Sequence, residues 1–307
     1  MYGSVLSVLS RDIILLIRLR EPALELCRLI YIGDREKASL VTVRILSLPD
    51  LTTNASLRWA TCFGEHPGHA LFSKYRQQHP PPHAPPPLIT NSGSSLSTGG
   101  QSEGRIGPRR RLRSVPSDGI ISVVMQVNGL SGYFRTIDLT VRCRTLLKFA
   151  DINTPAGDRA AETGETESTL EWEKWGPANT RILEHDSLTL GSLVGERRAT
   201  VGQVLPTRIT MRDYNPFRVR RAREMVASRG AGPGKEVKLE CGSIVKVVEE
   251  MSSYRGGEWF RDDIETRLPY VETVTPYPRC EGIFMDEDNL LAEVRTQVSD
   301  SQVRRFS

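Results

Sequence analysis

A chain of 307 residues, 38% of them apolar, with a mean hydropathy of −0.32, is long enough for one large domain or two ordinary ones. Its 41 basic and 37 acidic side chains leave a net charge of +4 and a pI near 8.8, well short of the footprint of a dedicated nucleic-acid binder. Five widely spaced cysteines (Cys27, Cys62, Cys143, Cys241, Cys280) argue against a secreted disulfide scaffold and for free thiols in a reducing compartment.

The N-terminal apolar segment is interrupted by Arg11, Asp12, Arg18 and Arg20, so no run approaches the roughly 20 apolar residues of a membrane span. It also lacks the charge-first, small-residues-last order of a signal peptide. An intracellular protein of the cytoplasm or nucleus, with no membrane partner, is the expectation.

In chain order, Leu6, Leu9, Ile13, Leu16 and Ile17 recur at helical spacing, and Pro22 allows a second helix over Ala23 to Ile32. The sequence therefore predicts a helical N-terminal segment over residues 1–76. Within it Val41, Val43 and Ile45 alternate like a strand until Leu48-Pro49-Asp50 breaks the pattern. Cys62, His66, His69, His79 and His83 lack the paired ligand spacing of a zinc site and read as loop residues. Residues 77–118 are rich in Pro, Gly and Ser and nearly devoid of apolar side chains, the composition of a disordered linker. Arg109, Arg110, Arg111 and Arg113 form a basic cluster near its end, read as a solvated charge run rather than an import signal.

From Ile120 the pattern turns to β. Ile120 to Val127 and Tyr133 to Leu139 flank Asn128-Gly129, a hairpin signature, and Leu146 to Phe149 predicts a third strand. Residues 151–168 are polar and acidic, a loop. Short apolar pieces around Trp172, Trp175, Ile182, Leu188 and Leu193 suggest a sandwich, barrel or propeller. Arg208 to Met211 predicts a strand. Asp213 or Asn215 then caps a helix that has Pro216 at its first position, runs from Phe217 to Ala227, and ends at Gly230, Gly232 and Gly234. Its arginines, Arg218, Arg220, Arg221 and Arg223, read as a solvated face.

Gly230 to Lys235 is one residue short of a phosphate loop and lacks the Ser or Thr that would hold magnesium. Asp286, Glu287 and Asp288 lack the Gly and Glu positions of a calcium loop and read as a hairpin tip. His185 beside Asp186 lacks a nucleophile elbow. No catalytic, cofactor or metal residue is assigned, and no cofactor is expected. Trp259, Phe260, Tyr270 and Phe284 read as core anchors, with Arg261, Asp262 and Asp263 as an exposed edge.

The stretches DYNPFRVRRA, KEVKLECGSIVKVV, YRGGEWFRDDIETRLPYVETVT and CEGIFMDEDNLLAEV, between Asp213 and Val294, resemble the C-terminal region of F-box-type proteins of mushroom-forming fungi. The resemblance implies an N-terminal F-box that docks a Skp-type adaptor of a cullin ubiquitin ligase, and a β-rich, propeller-like recognition domain. Ser10 stands where the F-box usually has proline, so the F-box would be degenerate. Ile13, Leu16, Ile17 and Leu24 would then face the adaptor.

The expected fold is mainly β, α+β overall. It has short N-terminal helices, a disordered linker, an antiparallel β-rich domain over 119–298, an incomplete propeller among its open forms, and a disordered tail over 299–307. The expected function is a non-enzymatic protein-interaction module, in the ligase reading a substrate receptor. The alternatives are a hydrolase using His185 with nearby acids and a nucleic-acid-associated protein using the arginine clusters, of which nucleic acid is the less expected partner.

Overall fold

The computed structural model describes residues 6–32, 37–64, 119–129, 132–151, 169–185, 191–202, 208–232, 234–277, 282–285, 290–295 and 301–306. The predicted linker, its basic cluster, His66, His69, His79, His83 and the 286–289 hairpin tip lie outside these residues. Within them the chain is mainly β, in several antiparallel sheets with three helices.

The N-terminal segment is where the structure corrects the sequence reading. Strands, not helices, occupy it: β1 (Leu6–Val8), β2 (Ile13–Arg18), β3 (Ala23–Ile32) and β4 (Lys37–Ser47) form an antiparallel meander. The apolar run Ile13 to Ile17 fits either period, but burial follows the strand period of two. Ile13, Leu15 and Ile17 are buried, and Ile14 and Leu16 are only half-buried. Ser10, Arg11 and Asp12 form the turn of the β1–β2 hairpin: Ser10 Oγ accepts from the Ile13 amide at 3.1 Å, and Leu9 N–H donates to the Ile13 carbonyl at 2.9 Å. A register shift between Leu26 and Cys27 marks a bulge in the β3–β4 pairing. The edge of this sheet is completed in parallel by β8 (Thr169–Leu170) at Ile45 and Leu46.

The second sheet is β5 (Ser56–Phe63), β6 (Ile120–Asn128), β7 (Phe134–Arg142) and β9 (Thr180–His185), all antiparallel. The predicted Asn128-Gly129 hairpin joins β6 to β7, and Gly132 supplies the positive φ of +73° its turn needs. The connection from β7 to β9 holds two helices that the sequence reading gave to strands. In α1 (Cys143–Asp151), Cys143, Leu146 and Ala150 are buried at i, i+3 and i+7, a helical stripe. In α2 (Trp172–Asn179), Trp172 and Trp175 pack edge to face with centroids 5.2 Å apart. Gly176 is required there, because a Cβ would lie 2.3 Å from the Trp172 ring. Trp175 is fully buried and donates from Nε1 to the Ser47 carbonyl at 2.8 Å, joining the helix to β4.

A third sheet runs β10 (Gly191–Val194), β11 (Arg197–Gly202), β12 (Arg208–Asp213), β17 (Tyr270–Pro276), β14 (Ile244–Val248), β13 (Glu236–Lys238). The predicted helix, α3 (Pro216–Ser228), lies on it. Asn215 caps α3 by accepting from the amides of Phe217 and Arg218 at 2.9 and 3.2 Å, with Pro216 at the first position. Val219 and Val226 of α3 pack with Val245, Val247 and Val271 of the sheet. The glycines after α3 end it, Gly230 with φ +72°, so the loop resembling a phosphate site follows a helix C-terminus.

Two small sheets complete the chain. β15 (Ser252–Tyr254) pairs with β16 (Ile264–Thr266), and β18 (Gly282–Met285), β19 (Leu290–Arg295) and β20 (Ser301–Phe306) form a meander. The predicted tail is thus corrected over 301–306, which pair with β19. Trp259, Phe260 and Tyr270 are buried as expected, and Arg261, Asp262 and Asp263 are exposed. No helix among the described residues is long and apolar enough to cross a membrane.

Candidate functional site

The residues assigned to adaptor contact lie on β2 and β3. Ile13, Ile17 and Leu24 are 3%, 7% and 0% exposed and belong to the largest apolar core, with Leu139, Trp175 and Phe260. Leu16 alone is half-buried. In this fold these positions hold sheets together and do not form one accessible surface.

The same sheet exposes another set of apolar residues. β2 pairs with β3 only over Ala23–Arg28, and β8 pairs with β4 only at Ile45 and Leu46. The end of the β3–β4 ribbon therefore continues past its neighbours. There Tyr31 and Leu40 share one face, exposed by 52% and 45%, and Ile30 and Val41 the other, exposed by 42% and 43%. A helical reading could not place them on one ribbon.

A cleft of about 290 Å³ opens where β7 and β9 meet the loop after β15. Arg135 and Ile137, two apart on β7, share a face, and Glu184 on β9 is directly opposite Ile137. Arg135 forms an ion pair with Glu184, and Tyr254 Oη donates to Glu184 Oε2 at 3.1 Å. Arg255, Gly256, Glu258 and Trp259 complete the lining. Two contacts hold this loop in place. Gly256 N–H donates to Asp263 Oδ1 at 2.7 Å, and Thr52 N–H donates to the Trp259 carbonyl at 3.1 Å. The Trp259 ring packs on Gly129, where a Cβ would come within 2.6 Å of it, so the β6–β7 turn and the cleft wall are one packing unit. The lining offers ion pairs, hydrogen bonds and an aromatic wall. His185 follows Glu184 in β9, its backbone paired with Thr136; its side chain and Asp186 lie outside the described residues.

Sequence reasoning missed this cleft because Arg135, Glu184 and Tyr254 are far apart in the chain. The visible signal was Tyr254-Arg255-Gly256-Gly257-Glu258-Trp259, a glycine turn between aromatics.

A second polar constellation is buried between the second and third sheets. Asp138 on β7, with no exposed surface, pairs with Arg198 of β11 and accepts from Ser122 Oγ of β6 at 2.5 Å. Beside it Arg181 of β9 donates from Nε to the Leu268 carbonyl and from Nη1 to the Glu250 carbonyl, both at 2.9 Å. The guanidiniums of Arg181 and Arg212 stand 5.3 and 5.9 Å from the Tyr270 ring centre, and Arg212 Nε bonds Glu272 Oε2 at 2.9 Å. Burial lowers the Arg181 pKa and pushes the Tyr214 phenol up to about 12. Both shifts follow from the packing of the two sheets, and the network's role is to join them.

The four described cysteines are free thiols. Cys27 and Cys143 are buried and Cys62 is half-buried; burial raises the Cys27 and Cys62 thiols to about 11 and about 12. Cys241 is exposed, and the Ser243 hydroxyl lowers its pKa. No group of three or more His, Cys, Asp or Glu among the described residues is placed to hold a metal ion.

The chain was compared with family models, curated proteins and solved structures. None matches.

Proposed function

We propose that the chain is a non-enzymatic protein-interaction module that docks an extended segment of a partner on the β3–β4 ribbon. The observation that carries this reading is the ribbon's projecting end, with apolar side chains on both faces and backbone edges unpaired by neighbouring strands among the described residues. Sheet edges add a strand from a partner through main-chain hydrogen bonds, and pockets for alternate side chains give specificity. Exposed apolar clusters of this kind mark interaction surfaces.

The narrower role of substrate receptor for a cullin-type ligase rests on the C-terminal resemblance to fungal F-box-type proteins, as does a propeller-like arrangement of the successive antiparallel meanders. Because Ile13, Ile17 and Leu24 are core residues, an adaptor would have to use another surface, and the ribbon is an exposed apolar surface among the described residues of the same segment.

The test is retention of a purified Skp-type adaptor by the full chain, alongside photo-crosslinking from position 31 in cells. Retention by wild type and loss in a Tyr31→Lys/Leu40→Lys variant is the expected outcome. An adaptor that wild type does not retain ends the ligase reading. A crosslinker at position 31 that yields no protein adduct ends the ribbon reading as well.

A further inference from the structure

The outer face of α3 carries a second, chemically different surface. Val219 and Val226 face the sheet, so Phe217, Arg218, Arg220 and Arg221 stand in solvent on the first turns. Phe217 is 72% exposed, and the Arg220 guanidinium lies 5.7 Å from its ring centre. Arg223 is neutralised by Glu249, to which both its Nε and Nη2 donate. Arg218, Arg220 and Arg221 form no ion pair among the described residues, and Glu224 is an exposed acid one turn on from Arg220 on the same face, so three cations and an aromatic ring outnumber the one carboxylate among them. A partner that satisfies this face supplies repeated negative charge and a flat π-surface.

We infer that this face of α3 binds single-stranded nucleic acid, with Phe217 stacking on a base and Arg218, Arg220 and Arg221 contacting phosphates. Arg220 leans over one side of the ring and the remaining surface is open, the arrangement of a stacking platform flanked by cations. An acidic polypeptide would match the charges but has no base to stack on Phe217. A duplex keeps its bases stacked internally, which leaves the ring without a role. This surface is independent of the β3–β4 ribbon.

The experiment is fluorescence anisotropy of the full chain with labelled single-stranded oligothymidine and oligouridine over a salt series. Both strands are expected to bind more tightly than a duplex. Phe217→Ala should weaken binding about tenfold and Phe217→Trp should restore it. In an Arg218→Gln/Arg220→Gln/Arg221→Gln variant the slope of log affinity against log salt should become shallower by about 2. These are solvent-facing positions, and circular dichroism checks that each variant keeps its fold. Three results overturn the proposal. The first is no binding by wild type at about 50 mM salt, where such contacts are strong. The second is binding that survives the α3 variants and is lost only when Arg109, Arg110, Arg111 and Arg113 are changed to Gln. The third is polyglutamate binding as tightly as the oligonucleotides and equally well to Phe217→Ala, which assigns the face to an acidic polypeptide.

Discussion

The cleft and the buried network use the same chemistry in opposite surroundings. Arg135–Glu184 joins β7 to β9 at the rim, with 41% and 34% of its side chains exposed. Asp138–Arg198 joins β7 to β11 inside, with 0% and 5% exposed. At the rim, water screens the pair and remains ready to solvate either partner, so the pair contributes about 0–1 kcal/mol. Inside, both ions have lost their hydration and depend on one another and on Ser122. One strand thus carries a solvent-screened ion pair at one end and an inflexible fastening between sheets a few residues on.

The comparison breaks most visibly at Asp138. Asp138→Ala leaves Arg198 buried without its counter-ion and should cost about 3–5 kcal/mol in urea unfolding. An Asp138→Leu/Arg198→Met chain, which removes both ions, should recover most of that loss. If the double change were as damaging as the single one, packing rather than charge would hold the two sheets together. Next in size is Gly129→Ala, which drives a methyl into the Trp259 ring and should cost about 1–3 kcal/mol by overpacking. Its sign of success is a shift in Trp fluorescence along with the lowered midpoint. Smaller still, Glu184→Gln should change stability by less than about 1 kcal/mol.

The smallest effects are those of pH. The Arg18 hydrogen bond to Glu25, at 2.7 Å, lowers the Glu25 pKa below its ordinary 4.5. That stability is present above pH 4.5 and is lost as pH falls through the lowered value, so Glu25→Gln should flatten the acid limb of the unfolding curve. Glu196 runs the other way. Burial raises its pKa, so its contribution is complete below 4.5 and disappears as pH rises through the raised value. Glu196→Gln keeps an oxygen for Asn215 Nδ2 and should make the chain relatively more stable near neutral pH. Thermal midpoints measured from pH 3 to 8 test both signs at once.

What could be read from the sequence follows from which residues leave only one physical solution. Asn128-Gly129 between alternating runs admits a hairpin and little else. Asn215-Pro216 before Phe217 admits a capped helix, and both are found. Ile13-Ile14-Leu15-Leu16-Ile17 satisfies two periods, and the choice was made by β3, β4 and the core behind them, which a local window does not contain. Trp172 and Trp175 are three apart, a helical spacing, but two residues do not establish a period, and Gly176 under the Trp172 ring settles the matter only in three dimensions. The cleft was hidden for a similar reason, because Arg135 and Glu184 meet through a pairing register that the two intervening helices set at a distance.

The uneven burial of the thiols has a practical consequence for watching this molecule. A maleimide at neutral pH meets Cys241 as a receptive thiolate source, and meets Cys27 and Cys62 as protonated sulfurs that packing shields. Cys241 sits in the turn between β13 and β14, and Arg229, just past the end of α3, donates to the Lys238 carbonyl of β13 at 3.4 Å. Among the described cysteines, a dye attached there would be the natural optical reporter beside the arginine-rich helix, without an added residue.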